Sequence, residues 1–184
     1  LGLPFEDGRV VFQLTGFDGV RLQSASWPFA GGRILVRPAD YQFAGADNRF
    51  VGEAVDWDLA TLIDTFRIPD IQAEGKVSGA FPLVFSTGSA RIEQAVLQAS
   101  DEGGVIRYTG TTGDAAAGAN ENAKLLFDAL KDFRYRVMKL GLDGDLAGRM
   151  RLTLDLLGSN PDVLYGSAFD IGISIDSPLM DLLN

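Results

Sequence analysis

Asp143-Gly144-Asp145 has the acidic spacing with which a calcium loop begins, but the further ligands of such a loop do not follow it. A two-residue hairpin turn explains the triplet, because Asp-Gly between alternating runs is a strong turn signal. Asn160-Pro161-Asp162 reads as a turn for similar reasons. Arg107, Arg134 and Arg136 fall on predicted strands beside Tyr108 and Tyr135, and a guanidinium there could grip a phosphate through paired hydrogen bonds. A solvated sheet face carrying salt bridges is the plainer account of them. The 25 acidic residues could supply a carboxylate pair for glycoside chemistry, yet no spacing singles one out.

The sequence contains no histidine and no cysteine. That removes the usual general base near neutral pH, the thiol nucleophile and the common zinc ligands. No catalytic residue, metal site or cofactor is expected, and the chain does not read as an enzyme. Without cysteine, the redox compartment cannot be read from disulfides. A net charge of -9 with pI about 4.4 sets up a field that repels nucleic-acid backbones, so no nucleic-acid partner is expected. Charges or glycines interrupt every apolar run before the roughly 20 residues needed to span a bilayer as a helix.

The elements that would position these side chains are mostly strands. A length of 184 residues fits one β-rich domain, and 22 glycines favour turns over long helices. Opening on Leu1-Gly2 without an initiator methionine, it reads as a fragment of a longer protein or a processed form. Residues 9–17 alternate, with Val10, Phe12 and Leu14 on one face, and pair across Asp18-Gly19 with a second run from Val20 to Trp27. Runs at 33–38 and 49–57 continue a meander. Asp58 stands at an N-cap position before Leu59, Leu62, Ile63 and Phe66, which predicts a short helix over 58–67.

Residues 71–85 return to strand character, bent by Gly75, Gly79 and Pro82. Arg91–Ala99 and Val105–Gly110 read as a hairpin around residues 101–104. Small and polar residues at 110–121 predict a mobile loop, and Asn122 is placed to cap a second helix over 123–131. Phe133–Leu142, Leu146–Leu157 and Phe169–Ile175 then alternate as three strands. Leu146, Met150, Leu152, Leu154 and Leu156 share one face and Phe169, Ile171, Ile173 and Ile175 continue it, opposite Arg149, Arg151, Thr153 and Asp155. That face is either the wall of a β-sandwich core or a surface left open for a ligand, since two helices are few to cover so many strands. Gly75, Gly79, Gly144 and Gly148 read as bends that curve the sheet, and residues 177–184 as an apolar tail that docks on it.

GKVSGAFPLVF at 75–85, GGVIRYTG at 103–110, the run from Leu125 to Gly166 and SPLMDLL at 177–183 resemble the C-terminal region of YdbH-like proteins. These belong with the AsmA-like, TamB-related envelope lipid-transport proteins. The likeness covers roughly residues 58–184, and the first 57 residues share only general strand character. The resemblance implies a long bacterial periplasmic protein anchored in the inner membrane, whose strongly curved, mostly antiparallel sheet forms a U-shaped trough. Phospholipid acyl chains would pass along it, here over the nine apolar residues from Leu146 to Ile175 just named, with Arg107, Arg134 and Arg136 meeting headgroups at the rim. This segment would lie near the outer membrane, with a small outer-membrane lipoprotein as partner by strand addition. A non-transporting assembly module is the alternative. Dicarboxylate transport, an older label for such sequences, is a distant one, since no membrane span or basic pocket supports it.

Overall fold

The computed structural model describes residues 6–43, 47–110 and 121–178. Their alternation produces β1 (Arg9–Leu14), β2 (Gly19–Phe29), β3 (Gly32–Val36), β4 (Ala39–Gln42), β5 (Asn48–Asp58), β6 (Ile71–Glu74), β7 (Lys76–Ser86), β8 (Ser89–Ala99), β9 (Gly104–Tyr108), β10 (Phe133–Asp145), β11 (Arg149–Ser159) and β12 (Ala168–Pro178). Among the described residues two α-helices, α1 (Leu59–Phe66) and α2 (Glu121–Leu130), and a short 3-10 turn at Leu164–Gly166 interrupt them. All twelve strands join one antiparallel sheet whose main path runs β1-β2-β3-β5-β7-β8-β10-β11-β12. The sheet is curled but open, and among the described residues β1 and β12 are its edges.

Bulges and short side strands set the curl. Register shifts interrupt the pairings β1/β2, β5/β7, β7/β8, β8/β10 and β10/β11, and each extra residue bends its strand and raises the local twist. Two bulges put non-glycine residues at positive φ, Asp56 at 54° and Gln94 at 49°. Side chains from the neighbouring strands accept their amides, Ser78 Oγ from Asp56 N at 2.9 Å and Asp143 Oδ1 from Gln94 N at 3.0 Å. Strand β4 shares one edge of β2 with β3, and β9 shares one edge of β10 with β8 while pairing β6 on its other side.

Several sequence expectations change here. Residues 71–85 form two strands, because Gly75 at φ 125° turns the chain between β6, which pairs β9, and β7, which pairs β5 and β8. β8 and β9 are not a hairpin; they lie end to end along β10. The Asp143-Gly144 turn is also displaced. Gly144 lies inside β10 at φ 138°, where a Cβ would meet the Arg149 carbonyl at 2.3 Å, and the turn forms at 146–148. Asp145 fixes that turn by accepting from Ala147 N through its carboxylate and from Gly148 N through its carbonyl. The second helix begins at Glu121, so Asn122 lies in its first turn rather than at its cap. Strand β4, directly after Pro38, was not expected. The mobile loop predicted at 110–121 and the apolar tail fall mostly outside the described residues.

One end of the inner face is packed. The Asp58 carboxylate caps α1, accepting from Thr61 N at 2.8 Å, and that bond together with one from the Thr61 hydroxyl holds its pKa below the ordinary carboxylate value. Arg67 closes the helix in the left-handed conformation. α1 thereby buries Leu59 and Leu62, and α2 buries Ala129 and Leu130, in one cluster with Val77, Phe133, Tyr135, Met138, Leu156 and Ile171. Val77 and Phe133 have no exposed surface.

Tyr135 bridges this end to β6. Its hydroxyl donates to the Glu74 carbonyl at 2.8 Å, and Gly75 and Gly104 leave room for its ring. Burial pushes its pKa from 10 up to about 12. The neutral phenol is therefore favoured in the folded state. Its contribution is complete below pH 10 and is lost as pH rises through about 12. In an alkaline titration followed by phenolate absorbance, one tyrosine should ionise about two units late, and Tyr135→Phe should remove that late phase.

Candidate functional site: an apolar band across the inner face

The two faces of the sheet differ in chemistry. The outer face carries cross-strand ion pairs: Arg21–Asp40 at 2.7 Å, Arg37–Glu53 at 2.5 Å, Arg49–Glu93 at 2.6 Å and Arg151–Asp176 at 2.9 Å. Exposed pairs of this kind stabilise weakly, each by about 0–1 kcal/mol, but they commit this face to water. The strand register places apolar rows on the other face.

One row runs Ile173, Leu154, Leu140, Leu97, Gly79, Ala54, Ile34, Trp27, each residue opposite the next. A second runs Ile175, Leu152, Leu142, Ala95, breaks at a bulge, and resumes as Phe81, Gly52, Val36, Ala25, Val10. Phe81 lies across Gly52, where a Cβ would meet its ring at 2.0 Å, so the missing side chain is replaced by an aromatic from the next strand. A third runs Met150, Gly144, Ile92, Leu83, Phe50. Tyr41 extends it by stacking on Phe50 at 6.0 Å, and Tyr41 stands opposite Val20, which stands opposite Leu14. Phe43 and Phe85 add edge-on ring contacts to Tyr41 and Phe50, at 5.8 and 5.6 Å.

Cover over these rows is uneven. The row beside the helices, Ile171, Leu156, Met138 and Val77, is buried, and much of the first row packs on the same cluster. Farther from the helices Leu152, Leu142, Ile92, Leu83 and Phe50 are half-buried, while Met150, Ala95 and Ala25 in the same rows are buried. The band ends exposed, at Val10 and Leu14 on β1 and at Ile175, 42% exposed, on β12.

Of the residues expected to line a groove, Leu152, Leu154, Phe169 and Ile173 are half-buried and Ile175 is exposed, while Met150, Leu156 and Ile171 are buried. Leu154, Phe169 and Ile173 pack on the core cluster together with Leu156 and Ile171. Leu146 lies in the β10–β11 turn, half-buried, its amide bonded to the Ala90 carbonyl. The register adds residues that sequence reasoning did not include, notably Phe50, Leu83, Ile92 and Leu142. Their alternation was visible, but which strands adjoin β10 was not.

Arg107 and Arg134 lie on the outer face. Arg107 pairs with Glu74 at 2.5 Å and Asp132 at 3.0 Å, and Arg134 pairs with Asp132 at 3.3 Å. The Glu74 hydrogen bond, with Asp132 behind it, raises the Arg107 pKa above its ordinary value. Arg136 stands in the β10/β11 bulge, exposed. Among the described residues, no group of His, Cys, Asp or Glu is placed to hold a metal ion, and no helix is long and apolar enough to cross a membrane.

A family model for YdbH-like proteins, described as intermembrane phospholipid transport protein YdbH, matches residues 1–184. This chain belongs to the YdbH-like family. The match includes the first 57 residues, beyond the stretch that carries the sequence resemblance. Intermembrane phospholipid transport is thus the setting of this YdbH-like sheet, and it places the chain in a cell envelope. No curated protein and no solved structure matches the chain.

Proposed function

We propose that this chain is a non-catalytic segment of a periplasmic bridge-like conduit, moving phospholipids between the inner and outer membranes with their acyl chains against the apolar band. The supporting observation is the uneven cover of the inner face: filled with protein beside α1 and α2, and only half-covered at Leu152, Leu142, Ile92, Leu83 and Phe50, although Met150, Ala95 and Ala25 in the same two rows are buried. On this reading the acyl chains would lie across the strands rather than along one. Nine strands at about 4.8 Å spacing give a path of roughly 38 Å, shortened by the curl. One leaflet's share of a bilayer's hydrocarbon core is about 15 Å, so a path of that length takes two acyl chains end to end. Arg107 and Arg134 lie on the outer face with carboxylate partners, so of the three a headgroup contact would fall to Arg136, exposed in the bulge. The whole protein would be anchored in the inner membrane, with this segment toward the outer membrane.

Native mass spectrometry of the protein purified from cells, followed by lipid extraction, tests the reading. Bound phospholipid is expected. A chain free of lipid and detergent, showing no uptake from phospholipid vesicles, would count against transport by this segment.

The edge of β12, unpaired among the described residues, favours a second reading that is compatible with the first. An extended segment of an outer-membrane lipoprotein could add there by main-chain hydrogen bonds, since an unpaired edge is a ready template. Under the assembly-module alternative, that contact alone would be the function.

A further inference from the structure

The loop between β11 and β12 combines strain with display. Leu164 and Tyr165 both adopt positive φ, 46° and 56°, and the Gly166 amide donates back to the Val163 carbonyl at 3.0 Å. This is the backbone of a turn whose two central residues are left-handed, a site that favours Asn-Gly and penalises bulky side chains. Leucine and tyrosine occupy it nonetheless, and neither is used to fill the core: Leu164 is 53% exposed and Tyr165 fully exposed.

The loop is held firmly behind these side chains. Asn160 is 2% exposed, and its amide donates to the Asp128 and Ala129 carbonyls at 3.1 Å each, closing the end of α2, while its Oδ1 accepts from Asp162 N. Ser167 N and its hydroxyl both return to the Leu164 carbonyl. A strained display held by a buried polar anchor is the pattern expected where backbone conformation serves recognition.

Ala168 follows at once, opening the strand whose outer edge is unpaired among the described residues. We infer that Leu164 and Tyr165 form the apolar clamp for an extended partner segment lying on β12, gripping an apolar side chain of that segment just beyond Ala168. This rests on strand addition at β12, and it assigns the specificity that main-chain pairing lacks. The segment's chemistry follows: alternating residues along the edge, with a leucine-like side chain at the end that reaches the loop.

The test uses an eleven-residue Val/Thr alternating peptide, N-methylated on one edge against self-pairing, ending in either Leu or Asp. Hydrogen exchange should show protection of β12 amides, and the Leu-ended form should bind about tenfold more tightly. Leu164→Asn with Tyr165→Gly suits the turn better, so this variant should unfold at a higher temperature than the parent, yet bind both peptides equally. Retained preference for the Leu ending, with β12 still protected, would overturn the clamp and leave strand addition standing. Loss of all β12 protection in the parent chain would overturn both. A blue shift of Tyr165→Trp fluorescence on phosphatidylcholine vesicles, or a dimer abolished by the double variant, would replace the partner strand with a membrane or a second copy.

Discussion

Phe133→Ala should lower the unfolding free energy by about 3–5 kcal/mol and the melting temperature by roughly 10 °C or more, read by urea and thermal denaturation. Phe133 has no exposed surface and lies in the cluster that joins α1, α2, β7, β10, β11 and β12. Removing its ring leaves a cavity that strands fixed by hydrogen bonds on both sides can close only in part. Domains of this kind keep about 5–15 kcal/mol in total, so the loss is a large fraction of the whole. Phe12→Ala supplies the contrast. Phe12 is 58% exposed on β1, and its truncation should change stability by only about 0.5 kcal/mol. Equal costs at the two sites would mean that the inner face is packed alike from end to end.

Leu152→Asp should have the largest effect on function. Leu152 is half-buried near the β12 end of the second row, between Leu142 on β10 and Ile175 on β12, and lies outside the core cluster. Its loss should cost the fold only about 1–2 kcal/mol, because the aspartate can reach water where leucine is part-covered. An acyl chain lying there would have to strip that carboxylate of solvent, so lipid retention should fall at least about tenfold, and transport in cells should be abolished. Val96→Asp is the matched control. Val96 lies on the outer face, 45% exposed, and the change should leave lipid retention as it was.

Alternation along the chain carried most of the strand assignments, and Asp58 with its apolar spacing carried α1. Pairing partners were less legible. Asp143-Gly144 has the sequence of a hairpin turn, but the same glycine is required inside β10, where the Arg149 carbonyl occupies the space a Cβ would take. No local signal separates those two uses of a glycine. Gly75 gave a visible break, yet whether a break bends one strand or sends its halves to different neighbours depends on distant residues, here Tyr108, which pairs Ile71, and Gly52, which pairs Phe81.

The candidate site shows the same division. The apolar faces of β11 and β12 were plain from residue types alone, whereas their separation into filled and half-covered parts depends on where α1 and α2 land. Asn160 was legible as a turn residue but not as the anchor of α2, since its partners lie about thirty residues earlier in the chain.

Photo-crosslinking from p-benzoylphenylalanine in the full-length protein tests the role of the inner face most directly. The probe would stand in turn at Leu152 and Ile175 on the apolar side and at Thr153 and Ser174 on the opposite side of the same two strands. Phospholipid adducts at 152 and 175, with none at 153 and 174, are the predicted result. Adducts on both sides alike, or on neither while the protein still transports lipid, would contradict it.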